Sequence, residues 1–170
     1  MRDEARLRFH RLLTSFSHGM LVTRSVEGNL RARPLAVAGV EANDDVWFVT
    51  RLESGKVIEV LADARICVAF QRGARYLSLS GRATVVCDSS KLEELWKERW
   101  RIWFPDGASD RHAVLLKVNA EIGEFWDRSG LAAIRYVFQA GRAYLAGREV
   151  TPGPEQHRTV SLQDSAAVLP

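Results

Sequence analysis

The segment Trp47-Phe48-Val49-Thr50-Arg51-Leu52-Glu53-Ser54-Gly55-Lys56 carries a β-rich run into a helix start through hydroxyl residues, a glycine and a lysine. Free N–H groups at a helix N-terminus, together with the helix dipole, favour an anion by about 0.3 to 1 kcal/mol, and a lysine ammonium adds a point charge. Gly55 lets the backbone approach such a ligand. The spacing is not the GxxxxGK[ST] of a Walker A loop. An ordinary N-cap at Ser54 with a solvent-facing Lys56 fits the same residues. The run Arg31-Ala32-Arg33-Pro34-Leu35-Ala36-Val37-Ala38 adds to the phosphate reading. Strand alternation puts Arg31 and Arg33 on one face, and Pro34 interrupts the ladder and marks an edge or a bulge. Ala36 and Ala38 are small enough for a flat ring to lie against the strand. Tight packing against a helix explains them equally, and Arg33 alone reads as a surface charge.

Other chemistries find little support. His10, His18, His112 and His157 show neither HExxH nor another metal-ligand spacing, and no GxSxG nucleophile elbow occurs. Cys67 and Cys87 lie in apolar, β-like stretches without a CxxC, which predicts buried thiols in a reducing compartment rather than a disulfide or a metal site. The 24 basic and 21 acidic residues leave a net charge of +3 with no long run of one sign, so no nucleic-acid arm is expected. The sequence pI of about 9.1 suits a small anionic ligand better. No apolar run approaches the roughly 18 residues of a membrane span, and the charged, amphipathic start MRDEARLRFHRLL does not read as secretory. The expectation is a cytoplasmic protein.

The elements that must position these residues read as one domain over 1–150 followed by a C-terminal tail over 151–170. With 170 residues and 46% hydrophobic content, the chain can build a real core. Phe9, Leu12, Leu13 and Phe16 form one apolar stripe on a helix over 5–16. From Gly19 to Thr50 the pattern becomes three β-rich runs separated by Glu27-Gly28-Asn29 and Asn43-Asp44-Asp45. A helix over 54–62 is expected to start at Ser54 and to bury Val57, Ile58 and Leu61. Strands follow over 66–71 and 76–87 with a turn around Gly73. A third helix, opened by a capping box Ser90-x-x-Glu93, is expected to bury Leu92, Leu95, Trp96 and Trp103 before Phe104-Pro105-Asp106-Gly107 ends it. Two more strands over 113–118 and 121–126, a last helix from Ser129 to about Gly147, and an extended or partly disordered tail complete the reading. Antiparallel strands interrupted by short helices, without a βαβ rhythm, point to a mainly β (α+β) closed or half-closed barrel.

Taken in order and spacing, Leu21-Val22-Thr23, Arg33-Pro34, Trp47-Phe48-Val49-Thr50, Ser54-Gly55-Lys56, Ser78-Leu79-Ser80-Gly81-Arg82-Ala83, Leu95-Trp96, Trp103-Phe104-Pro105-Asp106-Gly107 and Trp126-Asp127 resemble the FMN-binding split-barrel superfamily of pyridoxamine 5'-phosphate oxidase. They are closest to its general stress protein branch, and the likeness runs from residue 5 to about 147. The resemblance implies a six-stranded antiparallel split β-barrel and a homodimer with a flavin, FMN by preference, at the subunit interface. FAD or a deazaflavin is the alternative cofactor. It implies that Arg33, Pro34, Leu35, Val49, Thr50, Ser54, Gly55 and Lys56 hold the ribityl phosphate and ring edge, and that Trp103 or Phe104 covers the ring. Two positions depart from the oxidase: Gly55 stands where it has an arginine beside the phosphate lysine, and Tyr76 where it has a glutamine contacting the flavin. The oxidase's Arg-x-His element near the C-terminus is also missing, with only His157-Arg158 in its place. The resemblance therefore implies flavin binding without pyridoxamine phosphate oxidation. A small-molecule reductase or oxidase, or a non-flavin dimeric binding module using the aromatic segment from Leu92 to Phe104, are the competing functions.

Overall fold

A computed structural model describes residues 2–127 and 157–162 of the chain. Its first helix, α1 (Arg2–Leu13), is followed by the strands β1 (His18–Arg24), β2 (Leu30–Val40) and β3 (Val46–Arg51). The helix α2 (Gly55–Ala62) then leads into the hairpin of β4 (Arg65–Arg72) and β5 (Arg75–Val86). Helix α3 (Ser89–Leu95), 3-10 turns at Glu98–Ile102 and Gly107–Ser109, and the strands β6 (Ala113–Asp127) and β7 (His157–Ser161) complete the order. The strands run antiparallel in the order β3-β2-β1-β4-β5-β6, and β6 returns to pair with β3, which closes a six-stranded barrel. The turns between the first strands use left-handed residues, Gly28 at φ 90° and Asp44 at φ 75°.

Among the described residues the buried apolar side chains form two clusters. Phe9, Leu12, Leu13 and Phe16 plug one end of the barrel against inward residues such as Leu21, Phe48, Leu79 and Phe125, as the helical stripe predicts. A second cluster lies outside the barrel wall, where Trp100, Phe104 and Leu92 cover Ala38, Trp47, Val49 and Leu115.

Several sequence expectations are corrected. The segments 113–118 and 121–126 form one 15-residue strand rather than two. Instead of turning at Asn119, the chain shifts register opposite Ser80 and Gly81, where a Cβ on Gly81 would stand 2.0 Å from the Asn119 carbonyl oxygen. Only glycine permits that approach, and the resulting bulge bends the strand without breaking it. In α2 the buried residues are Val57, Glu59 and Val60, whereas Ile58 and Leu61 face solvent, because ion pairs to Glu59 draw the helix down on that side. Asp88, and not Ser90, caps α3, accepting from the Lys91 amide at 3.0 Å. The chain is extended at Trp96 before the 3-10 turn begins. That break resets the helical phase, so Trp100 takes the buried position and Trp103 stays 53% exposed. Cys67 is half-buried on the outer face of β4 and Cys87 is exposed just past β5, both as free thiols. The helix expected over 129–147 lies outside the described residues. Within the 151–170 tail, β7 pairs with the second half of β6 from Ile122 to Trp126.

Candidate functional site

The β2 alternation places Arg31 and Arg33 on one face and Pro34 and Ala36 on the other, so the strand serves two environments. On the arginine side, Arg33 donates to Thr23 Oγ1 at 2.5 Å and to Glu59 Oε2 at 2.6 Å. Arg31 reaches the other carboxylate oxygen at 3.3 Å, and the Thr23 hydroxyl donates to Oε2. Glu59 is 3% exposed. Burial pushes its carboxyl up, but the hydrogen bonds from Thr23 and Arg33 and the charges of both arginines outweigh burial and hold it below its ordinary value. This carboxylate was not legible as a site residue. Its one signal is an acid at the centre of the apolar run Val57-Ile58-Glu59-Val60-Leu61.

On the other side lies a cleft of about 500 Å³, within the range of small-molecule sites. Pro34, Leu35 and Ala36 of β2 form one wall, and Val49, Thr50 and Arg51 of β3 run into Ser54 and Lys56 at the start of α2. Trp100, Trp103 and Phe104 from the 3-10 turn close it, with His18 at its edge. Lys56 Nζ donates to Thr50 Oγ1 at 2.9 Å and makes no ion pair among the described residues. Burial pushes its ammonium below the ordinary lysine pKa, and the nearby charge of Arg33 pushes it further, against a smaller pull from Glu59. Arg51 donates to the Trp103 carbonyl and stacks its guanidinium 5.4 Å from the Phe104 ring centroid. Ser54 occupies the N-cap position of α2, but its hydroxyl makes no capping bond. The junction is pinned from outside by the Leu52 amide donating to the His112 carbonyl at 2.8 Å and by a Glu53–His112 contact of 2.5 Å, which lowers the Glu53 carboxyl.

Of the residues singled out by sequence, the cleft therefore gathers Pro34, Leu35, Val49, Thr50, Ser54, Lys56 and Trp103. Arg33 is in the ion pair with Glu59 and does not line it. Gly55 opens α2 without lining it, and a Cβ there would meet nothing within 4 Å, so space alone does not require glycine. Tyr76 lies in a second cleft of about 580 Å³ with Met20, Ala69 and Trp126. The two clefts share His18 and Pro34. Sequence reasoning missed His18, Arg51 and Trp100. Arg51 had a signal, as a base directly following Thr50 at the helix entry. Trp100 had none, because helical spacing favoured Trp103.

The residues present fit an anionic, flat ligand. Two cations and an imidazole line the cleft with no carboxylate among its described residues, Thr50 and Ser54 add hydroxyls, and the other described lining residues are apolar or aromatic.

A family model described as pyridoxamine 5'-phosphate oxidase like matches residues 4–151. Protein bli-3 of Neurospora crassa is 32% identical over 98 residues, covering 55% of this chain and 47% of its own, so the chain spans about half the length of that curated relative. A Clostridium acetobutylicum protein related to general stress protein 26 of Bacillus subtilis superimposes with a TM-score of 0.66 at 20% identity, over 74% of this chain and 90% of that one. The general stress FMN/FAD binding protein of Xanthomonas citri superimposes with a TM-score of 0.64 at 24% identity, over 75% of this chain and 92% of its own. These two structures share the fold.

Proposed function

Because the chain belongs to the pyridoxamine 5'-phosphate oxidase-like family, we propose that it is a flavin-binding protein of the general stress type. It holds FMN, with FAD or a deazaflavin as the alternative, in the cleft between β2, the β3–α2 junction and the 3-10 turn. The observation that carries this reading is Lys56, a partly desolvated cation without an ion-pair partner among the described residues, in a cleft with no carboxylate among its described lining residues. A bound phosphate group supplies the missing counter-charge and accepts charge-assisted hydrogen bonds. Thr50 and Ser54 offer hydroxyl donors beside it, and Pro34, Ala36, Val49 and Trp103 give a ring apolar faces. The FMN/FAD binding of the Xanthomonas citri protein supports the same ligand class.

When bound, FMN supplies hydride and electron transfer, and the protein's part is to bind and orient it and to exclude water. If the protein is an enzyme, it is an FMN-dependent oxidoreductase without pyridoxamine phosphate oxidase activity, since the segment that would carry the Arg-x-His element instead enters β7 at His157. Two free cysteines suit a cytoplasmic setting.

We further propose a homodimer formed through the outer face of β1, β4, β5 and β6. There Met20, Tyr76 and Ile122 are 40%, 46% and 50% exposed, and the pairings Met20↔Ala69 and Tyr76↔Trp126 set apolar residues side by side on adjacent strands. A second copy on this face adjoins the cleft at His18 and Pro34.

The purified protein should show a flavin visible spectrum. Apo-protein titrated with FMN, FAD and a deazaflavin should quench flavin fluorescence at a stoichiometry of one per chain, FMN binding tightest. No binding of any flavin would sink the reading, and turnover of pyridoxamine phosphate would sink its negative part.

A further inference from the structure

His18 stands where the two clefts meet, and the fold fixes the face on which it points. Strand β1 alternates, with Gly19 and Leu21 buried and His18 and Met20 exposed on the outer face. Two contacts hold that phase. A Cβ on Gly19 would stand 2.7 Å from the Phe70 ring and 2.8 Å from Val68 Cγ1, so a side chain there would displace packed core, and the Val37 amide donates to the Ser17 carbonyl at 2.9 Å. His18 is the cross-strand partner of Ala36, and such partners share a face of the sheet with their Cβ atoms about 5 Å apart. Ala36 lines the cleft and is too small to screen the imidazole from it. Of the two ring nitrogens, Nδ1 is taken by the Ser17 hydroxyl at 3.0 Å, and Nε2 has no partner among the described residues. The strand order β3-β2-β1 sets His18 and the β3–α2 junction on opposite sides of β2. With about 4.8 Å between neighbouring strands, β1 and β3 are roughly 10 Å apart. A lone phosphate at Lys56 does not span that distance, whereas a molecule carrying a ring on a linker does, lying across Pro34, Leu35 and Ala36.

We infer that His18 is the ring-end contact of the site: its Nε2 hydrogen-bonds the polar edge of the heteroaromatic ring of a ligand whose phosphate is held at Lys56. The inference rests on the flavin reading above and deepens it by dividing recognition between two ends. Lys56 reads the charge and is indifferent to the ring. His18 reads the polar edge of the ring, so a flat hydrocarbon carrying the same phosphate leaves that contact unmade and binds less well.

The test compares His18→Phe, which keeps a flat ring and removes both nitrogens, with His18→Gln, whose amide reaches about as far as Nε2. FMN affinity should fall about fivefold in His18→Phe and recover to within about twofold of wild type in His18→Gln. Both melting temperatures should hold, because the position is exposed. At saturating FMN the visible absorption bands of the bound flavin should shift in His18→Phe and stay in place in Lys56→Met, since only the former alters the surroundings of the ring. Unchanged affinity in His18→Phe overturns the inference, as does a loss that glutamine does not recover or one that leaves the bands unmoved. If the wild type itself binds no flavin, the functional reading fails first and takes the inference with it; wild-type binding beside an unaffected His18→Phe fails the inference alone.

Discussion

Arg33 and Lys56 bear the same charge and lie near enough for Arg33 to disfavour the charge of Lys56, yet their surroundings differ. Arg33 is tied by two nitrogens to Thr23 and Glu59, and its charge is answered inside the protein. Lys56 has one neutral acceptor, Thr50, and no ion-pair partner among the described residues. The contrast teaches that proximity of a cation to a cleft is not availability to a ligand. What separates the two is the buried carboxylate of Glu59, which has organised one cation into the fold and left the other beside the cleft.

The largest effect should come from removing the organiser. Glu59→Gln leaves two guanidinium groups facing a neutral amide, and because breaking a buried pair is expensive even when its arginines keep some solvent, unfolding free energy should drop by about 3 kcal/mol in urea titrations. The pH dependence has a definite sign. The folded carboxyl titrates below its ordinary 4.5, so its stabilisation is complete above that value and is lost as pH falls through the lower folded value. The acid limb of the wild type should therefore flatten in Glu59→Gln. A loss below about 1 kcal/mol would mean the network is ornamental.

Next come the two cations themselves. Lys56→Met should weaken FMN binding by about 1.5 to 2 kcal/mol, the worth of a charged hydrogen bond. Apo stability should hold or rise, because the ammonium is destabilised by burial in the free protein. Arg33→Ala should do the reverse, destabilising by about 2 kcal/mol through the orphaned Glu59 while lowering FMN affinity less than Lys56→Met does. If fluorescence titration ranks the two variants the other way, the comparison is broken. The smallest effect is expected from Trp103→Ala, a half-exposed wall residue. It should weaken FMN by about 0.5 to 1.5 kcal/mol with unfolding free energy almost unchanged, which separates wall contact from charge.

Much of this arrangement was legible in the sequence. The barrel strands, their turns at Gly28, Asp44 and Gly73, and the α1 plug follow from alternation and turn chemistry, which are local. The cleft's backbone of Pro34, Val49, Thr50, Ser54 and Lys56 was legible because a strand running into a helix start declares its chemistry in consecutive residues. What escaped depends on three-dimensional pairing. Glu59 reads as a surface acid until Arg31 and Arg33 are folded onto it. Trp100 and Trp103 exchange roles because two extended residues, Trp96 and Lys97, shift the helical phase. Tyr76 aligns with a flavin contact but faces a neighbouring cleft, since its orientation follows from the β5 pleat and not from its distance along the chain.

The bulged strand β6 has a consequence for the order in which the molecule assembles. It pairs with β3 over 113–118 and with β5 along nearly its whole length, so it supplies the last partner to both free edges of the sheet. During synthesis the first five strands form an open sheet whose two edges stay bare until residues beyond 113 have left the ribosome. Closure is then one late, long-range event rather than a strand-by-strand accretion. The nascent chain is most exposed to edge-to-edge association in that interval, and the cleft, whose walls straddle β2, β3 and the segment just before β6, matures only when it ends.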